Sequence, residues 1–80
     1  MITIEDFVKF KFTHQYHNKD VNFDSFKKGK DIRVIILWQS DEDHIYEIPI
    51  TWIIRNNQTL YKGNIETVEE LKVILKTLDV

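Results

Sequence analysis

Asp31-Ile-Arg-Val-Ile-Ile-Leu-Trp-Gln39 is the stretch on which the fold turns. Side chains alternate across an extended chain, so Ile32, Val34, Ile36 and Trp38 share one face and Ile35 and Leu37 share the other. Apolar residues at both parities describe a strand covered on both sides, which places it at the centre of a sheet. Downstream, Ser40-Asp-Glu-Asp43 reads as a polar turn. His44 to Arg55 alternates again, with Tyr46, Ile48, Ile50, Trp52 and Ile54 on one face. Pro49 has no amide to give a ladder, so this long strand is expected to bulge there or to leave one side unpaired. Asn56-Asn57 tolerates positive φ and suits a tight hairpin turn. Thr59 to Lys62 is then a short return strand, ended by Gly63-Asn64.

The C-terminus switches to helical spacing. Val68, Leu71, Leu75 and Leu78 recur at three- and four-residue steps, and Val73 and Ile74 widen the stripe. Thr67-Val-Glu-Glu70 has the form of a capping box, in which the Thr67 hydroxyl accepts from the amide of Glu70. Glu69 and Glu70 in the first turn and Lys76 in the last complement the helix dipole. The pattern predicts a helix over 67–78 packed on a sheet.

The N-terminal third reads two ways. Val8, Phe10 and Phe12 alternate as in a strand, while Thr3-Ile-Glu-Asp6 is able to cap a helix carrying Ile4, Phe7, Val8 and Phe12. The favoured reading is a helical turn over 3–7 and a strand from about 8 to 16. His17 to Asp20 would turn, Val21 to Phe23 would form a short strand, and Lys28-Gly29-Lys30 would turn into the central strand. Together these elements predict an α+β fold. It has an antiparallel sheet of about four to five strands, with one C-terminal helix packed on one face, in a single domain over 1–80.

Composition narrows the function classes. The chain has 80 residues, 11 basic and 13 acidic side chains, and a net charge of −2. Bulk charge therefore does not drive polyanion binding, nor does the chain mimic nucleic acid. Zero cysteines exclude disulfides, thiolate metal sites and thiol catalysis. The longest apolar run, Val34 to Trp38, is far short of the ~20 residues that span a bilayer. No membrane association is expected, and cytoplasmic residence is the default. Twelve isoleucines without one alanine, and nine lysines to two arginines, suggest an AT-rich coding sequence such as that of a low-GC bacterium or its phage.

No catalytic, cofactor or metal set is predicted. His14-x-x-His17-x-x-Asp20 has metal-like spacing, but on a strand the two histidines point to opposite faces and read as exposed hydrogen-bonding groups. Ser25 and Ser40 lack the setting of a nucleophile elbow. Asp41, Glu42 and Asp43 fail the calcium-loop pattern, because Tyr46 and Trp52 stand where its glycine and glutamate belong. Trp38 and Trp52 read as core residues beneath the helix, the favoured reading, or as interface anchors.

By elimination, the expected function is a non-enzymatic protein-binding module, of the kind that small phage or mobile elements use to inhibit a host defence protein. Its partner would be met by Asp41, Glu42 and Asp43, which form a compact negative tip. The alternative is single-stranded nucleic-acid binding by the basic-aromatic segment 9–30, through Lys9, Lys11, Tyr16, Lys27, Lys28 and Lys30. That segment holds no arginine, the donor best matched to phosphate.

Overall fold

The computed structural model describes residues 2–39 and 48–80. A short helix α1 (Ile4–Lys9) leads into strands β1 (Thr13–Asn18), β2 (Phe23–Lys28), β3 (Ile32–Leu37), β4 (Ile50–Arg55) and β5 (Gln58–Asn64), and helix α2 (Val68–Thr77) closes the chain. The strands form one antiparallel sheet in the order β1-β2-β3-β4-β5, with β3 at its centre. The fold is α+β, as the alternation and the C-terminal stripe predict.

The register sorts the side chains cleanly. Val34 stands between Phe26 and Ile53, and Ile36 between Asp24 and Thr51. On this side Phe26, Ile32, Val34, Ile36 and Ile53 join Phe7 of α1 and Leu71 and Leu75 of α2 in one buried cluster, completed by Ile2, Phe12 and Ile65. Burying each such side chain contributes about 1.5–3 kcal/mol before entropy is counted. Val68 and Val73 are exceptions to the predicted stripe, 37% and 63% exposed.

Both helices are held at both ends by local chemistry. The Thr67 hydroxyl accepts from the Glu70 amide at 3.1 Å, and the Thr3 amide donates to the Asp6 carboxylate at 2.8 Å. At the C-terminus of α1, Lys11 adopts φ 73°. Its amide donates to Val8 O, and the Phe12 amide reaches back to Phe7 O. This is a Schellman closure with its usual apolar contact, here the Phe7 and Phe12 rings at 6.0 Å. Helix α2 ends the same way, with Asp79 at φ 57°, its amide on Lys76 O and the Val80 amide on Leu75 O. The expected strand from about residue 8 is therefore corrected: Val8 and Phe10 finish a helix, and extended chain begins at Thr13.

Strand β4 also departs from expectation. It covers Ile50–Arg55, after Pro49, residues 44–47 of the expected strand lying outside the described residues, and its core side carries Thr51 and Ile53 rather than the expected Trp52. The turn at Asn56 and Asn57, with φ 50° and 66°, is the tight hairpin expected there. Gly29 at φ 66° makes the turn between β2 and β3. Leu60 is the extra residue of a bulge in β5, because Ile53 pairs with Tyr61 while Ile54 pairs with Thr59.

Candidate functional site

The basic-aromatic segment does not form one surface. Lys9 lies in the last turn of α1 and Lys11 just beyond it. Lys28 sits on the helix side of the sheet, its ammonium 5.4 Å from the centre of the Phe12 ring. Lys30 is in the β2–β3 turn, and only Tyr16 and Lys27 share the outer face. Asp41, Glu42 and Asp43 lie outside the described residues.

The register instead assembles a face that no single segment announces. On the side of the sheet away from α1 and α2, Phe23 lies beside Leu37 and Ile35 beside Trp52, while Ser25 stands between Tyr16 and Ile35, and Ile54 lies beside Arg33. Tyr16 is 53% exposed and the other five are half-buried. The Tyr16 and Phe23 rings meet at 5.8 Å. Lys27, Arg33 and Lys62 border the patch, with the Lys62 ammonium 5.4 Å from the Trp52 ring centre. Among the described strand residues of this face there is no carboxylate. Ile50 belongs to it by register and is buried.

A second constellation lies on the helix side, at the edge strand. β1 carries a bulge, because His14 pairs with Phe26 while Tyr16 pairs with Ser25, leaving Gln15 as the extra residue. The bulge overturns the alternation on which the histidines were assigned to opposite faces. Both now meet the buried carboxylate of Asp24: His14 Nε2 lies 2.6 Å and His17 Nδ1 3.0 Å from its Oδ1. The indole Nε1–H of Trp38 donates to the other oxygen at 2.7 Å. An ionised carboxylate only accepts, so both ring nitrogens facing it carry protons. Burial pushes the Asp24 carboxyl up, but hydrogen bonds from His14, Trp38 and His17, with the His17 charge, outweigh it and hold the group below its ordinary value.

Three hydrogen bonds on one carboxylate tie β1 and the residue after β3 to β2. Among the described residues no group of three or more His, Cys, Asp or Glu side chains is placed to hold a metal ion. Asp20, the third member of the metal-like spacing, is exposed, and its amide donates to Asn18 Oδ1 in the β1–β2 turn. Ser25 points to the opposite face from Asp24, so its hydroxyl does not join the His–Asp pair.

Asp24, Phe23, Arg33, Ile35, Leu37, Ile54 and Lys62 were not singled out as site residues by sequence. The available signal was the second apolar parity of residues 32–38, which says that something covers that face without saying what. Comparison with known proteins returned no matching family model, no matching curated protein and no matching solved structure. Among the described residues no helix is long and apolar enough to cross a membrane.

Proposed function

We propose that this chain is a non-enzymatic module that docks a protein partner on the outer face of its sheet. The observation that carries the reading is the patch of Tyr16, Phe23, Ile35, Leu37, Trp52 and Ile54, bordered by Lys27, Arg33 and Lys62. Interfaces have this anatomy: an apolar and aromatic centre depleted of charge, with a polar rim. An antiparallel sheet covered on one side ordinarily turns polar residues to water on the other. Strands β3 and β4 do not. The cationic border selects a partner whose complementary surface is acidic. It disfavours a second copy of this chain, since face-to-face pairing would set cations against cations. Ile35, Leu37 and Ile54 also favour protein over single-stranded nucleic acid, because aliphatic side chains offer a base nothing to stack on. A domain that docks by one apolar face acts by occluding the surface it covers, which is how a small inhibitor works.

The test is affinity capture from the native host with four baits. They are wild type, an Ile35→Thr/Trp52→Ala variant, a Lys9→Ala/Lys11→Ala variant, and a variant with Asp41, Glu42 and Asp43 changed to Ala. A protein retained by wild type and by the Lys9/Lys11 variant, but lost from the folded Ile35/Trp52 variant, supports the outer face. Equal capture by the Ile35/Trp52 bait refutes it, and selective loss from the third variant moves the site to the acidic segment. Salt-sensitive oligonucleotide binding that depends on Lys27 promotes the nucleic-acid reading instead.

A further inference from the structure

The turn end of the outer face opens into a cavity of about 410 Å³. Its walls bring together Lys27, Lys30 and Arg33 with the side-chain amides of Gln15, Asn56 and Asn57, and Ile54 and Asp31 complete the lining. We infer that this cavity is an oxyanion pocket that receives a carboxylate side chain of the docked protein. The inference rests on the docking reading above and names the chemistry that reading needs at one edge of the face.

Three observations carry it. Lys27 and Arg33 stand directly opposite each other across the β2–β3 ladder. Like charges in that position destabilise a sheet, so the fold alone gives no reason for the pair. Second, among the described residues none of the three cations is ion-paired; the single carboxylate of the lining, Asp31, lies 3.8 Å from Arg55 Nε. Third, the neutral donors converge on the cations through special backbone. Gln15 is the bulged residue of β1, and Asn56 and Asn57 hold the positive-φ turn. A guanidinium takes a carboxylate through two parallel hydrogen bonds, and amide NH₂ groups add donors without adding repulsion. The apolar floor at Ile54 continues into the docking patch, so an acidic side chain entering here is flanked by the partner's apolar surface.

The test is an amide chemical-shift titration of the full chain with a hexaglutamate peptide, with hexaglutamine and inorganic phosphate as comparison probes. Hexaglutamate is expected to give saturable shifts at Gln15, Lys27, Arg33, Asn56 and Asn57 that weaken as salt rises. Arg33→Gln should weaken binding about tenfold, a loss of about 1.4 kcal/mol, while raising the midpoint of thermal unfolding by relieving the Lys27–Arg33 repulsion. A merely structural arginine would not produce both changes. Absence of saturable shifts, shifts located elsewhere, or equal binding by Arg33→Gln overturns the pocket. Binding of hexaglutamine overturns the charge argument, and binding of phosphate without hexaglutamate overturns the carboxylate assignment. Trp52→Ala is expected to leave the titration intact. Failure of the docking reading in the capture experiment is therefore separable from failure of the pocket.

Discussion

Replacing Asp24 by Asn tests whether the buried carboxylate fastens the edge of the sheet. The side chain keeps its shape but exchanges one acceptor oxygen for an NH₂ group. If its oxygen faces His14 and His17, the NH₂ confronts the Trp38 indole N–H, donor against donor. If it flips, Trp38 keeps its acceptor and the NH₂ meets His14 and His17 as a donor, so each imidazole must carry its proton on the other ring nitrogen. The unflipped form leaves the indole N–H unsatisfied, and the flipped form exchanges hydrogen bonds to a charged acceptor for neutral ones, a cost of about 1–3 kcal/mol. The rings of His14 and His17 are 34% and 43% exposed, so water recovers part of their loss and the flipped form prevails. We expect Asp24→Asn to cost about 2 kcal/mol and Asp24→Ala about 3 kcal/mol, the low end for breaking a buried charged pair. For a domain of this size, 2 kcal/mol lowers the thermal midpoint by roughly 8–16 °C. The pH dependence gives an independent reading. The folded carboxyl titrates below its ordinary value near 3.8, so its contribution is complete above that value and is lost as pH falls through the folded one. Urea denaturation followed by circular dichroism from neutral pH down into that acid range is the assay. The wild-type curve should fall at the acid end and the Asn variant should be flatter. A variant within about 0.5 kcal/mol of wild type, or one with an unchanged acid limb, would refute the fastening role.

Four further outcomes are expected. Thr67→Ala should cost about 1 kcal/mol and Leu71→Ala or Leu75→Ala about 2–5 kcal/mol in chemical denaturation, because the cap and both leucines are engaged. Lys11→Gly should stabilise by about 0.5–1 kcal/mol while Lys11→Ala should not, because only glycine relieves a left-handed backbone. Thr51→Val should raise the thermal midpoint, since the Thr51 hydroxyl is fully buried and has no partner among the described residues; a gain of about 1 kcal/mol is expected. EDTA should leave the midpoint unchanged, whereas a midpoint that falls with EDTA and recovers with zinc would give His14 and His17 a metal after all.

Elements set by neighbouring residues were legible in the sequence, and those set by pairing were not. Thr67 and the three- and four-residue spacing of Val68, Leu71 and Leu75 specify α2 locally. Asn56-Asn57 specifies the β4–β5 turn because few residues accept two successive positive φ angles. The α1–β1 boundary had no such mark. Its left-handed position is Lys11 rather than glycine, so the Val8, Phe10, Phe12 alternation looked like a strand although Phe12 in fact folds back onto Phe7. The bulge at Gln15 was equally silent, and with it the convergence of His14 and His17 on Asp24. The second oxygen of Asp24 accepts from Trp38, 14 residues away, and no local pattern encodes that separation.

Strand β4 shows how the pairing register creates the candidate site. Ile50, Trp52, Ile53 and Ile54 offer apolar residues at both parities, so alternation alone leaves the core face undecided. The Asn56-Asn57 turn pairs Arg55 with Gln58, and the β3 register pairs Ile53 with Val34. A shift of one residue would exchange the faces, sending Ile53 outward and Trp52 under the helices. The observed register gives the smaller residues Thr51 and Ile53 to the closely packed side beneath α1 and α2 and leaves Trp52 and Ile54 outside. Folding needs only the first half of that choice. Threonine at 52 and 54 would suit an outward position on a sheet and would keep the surface polar. Local consistency is therefore broken on the outer face, where a tryptophan and three aliphatic residues lie beside an opposed Lys27–Arg33 pair. Departures of this kind concentrate at functional sites. Here the apolar and the electrostatic departures are continuous, on the face opposite the helices.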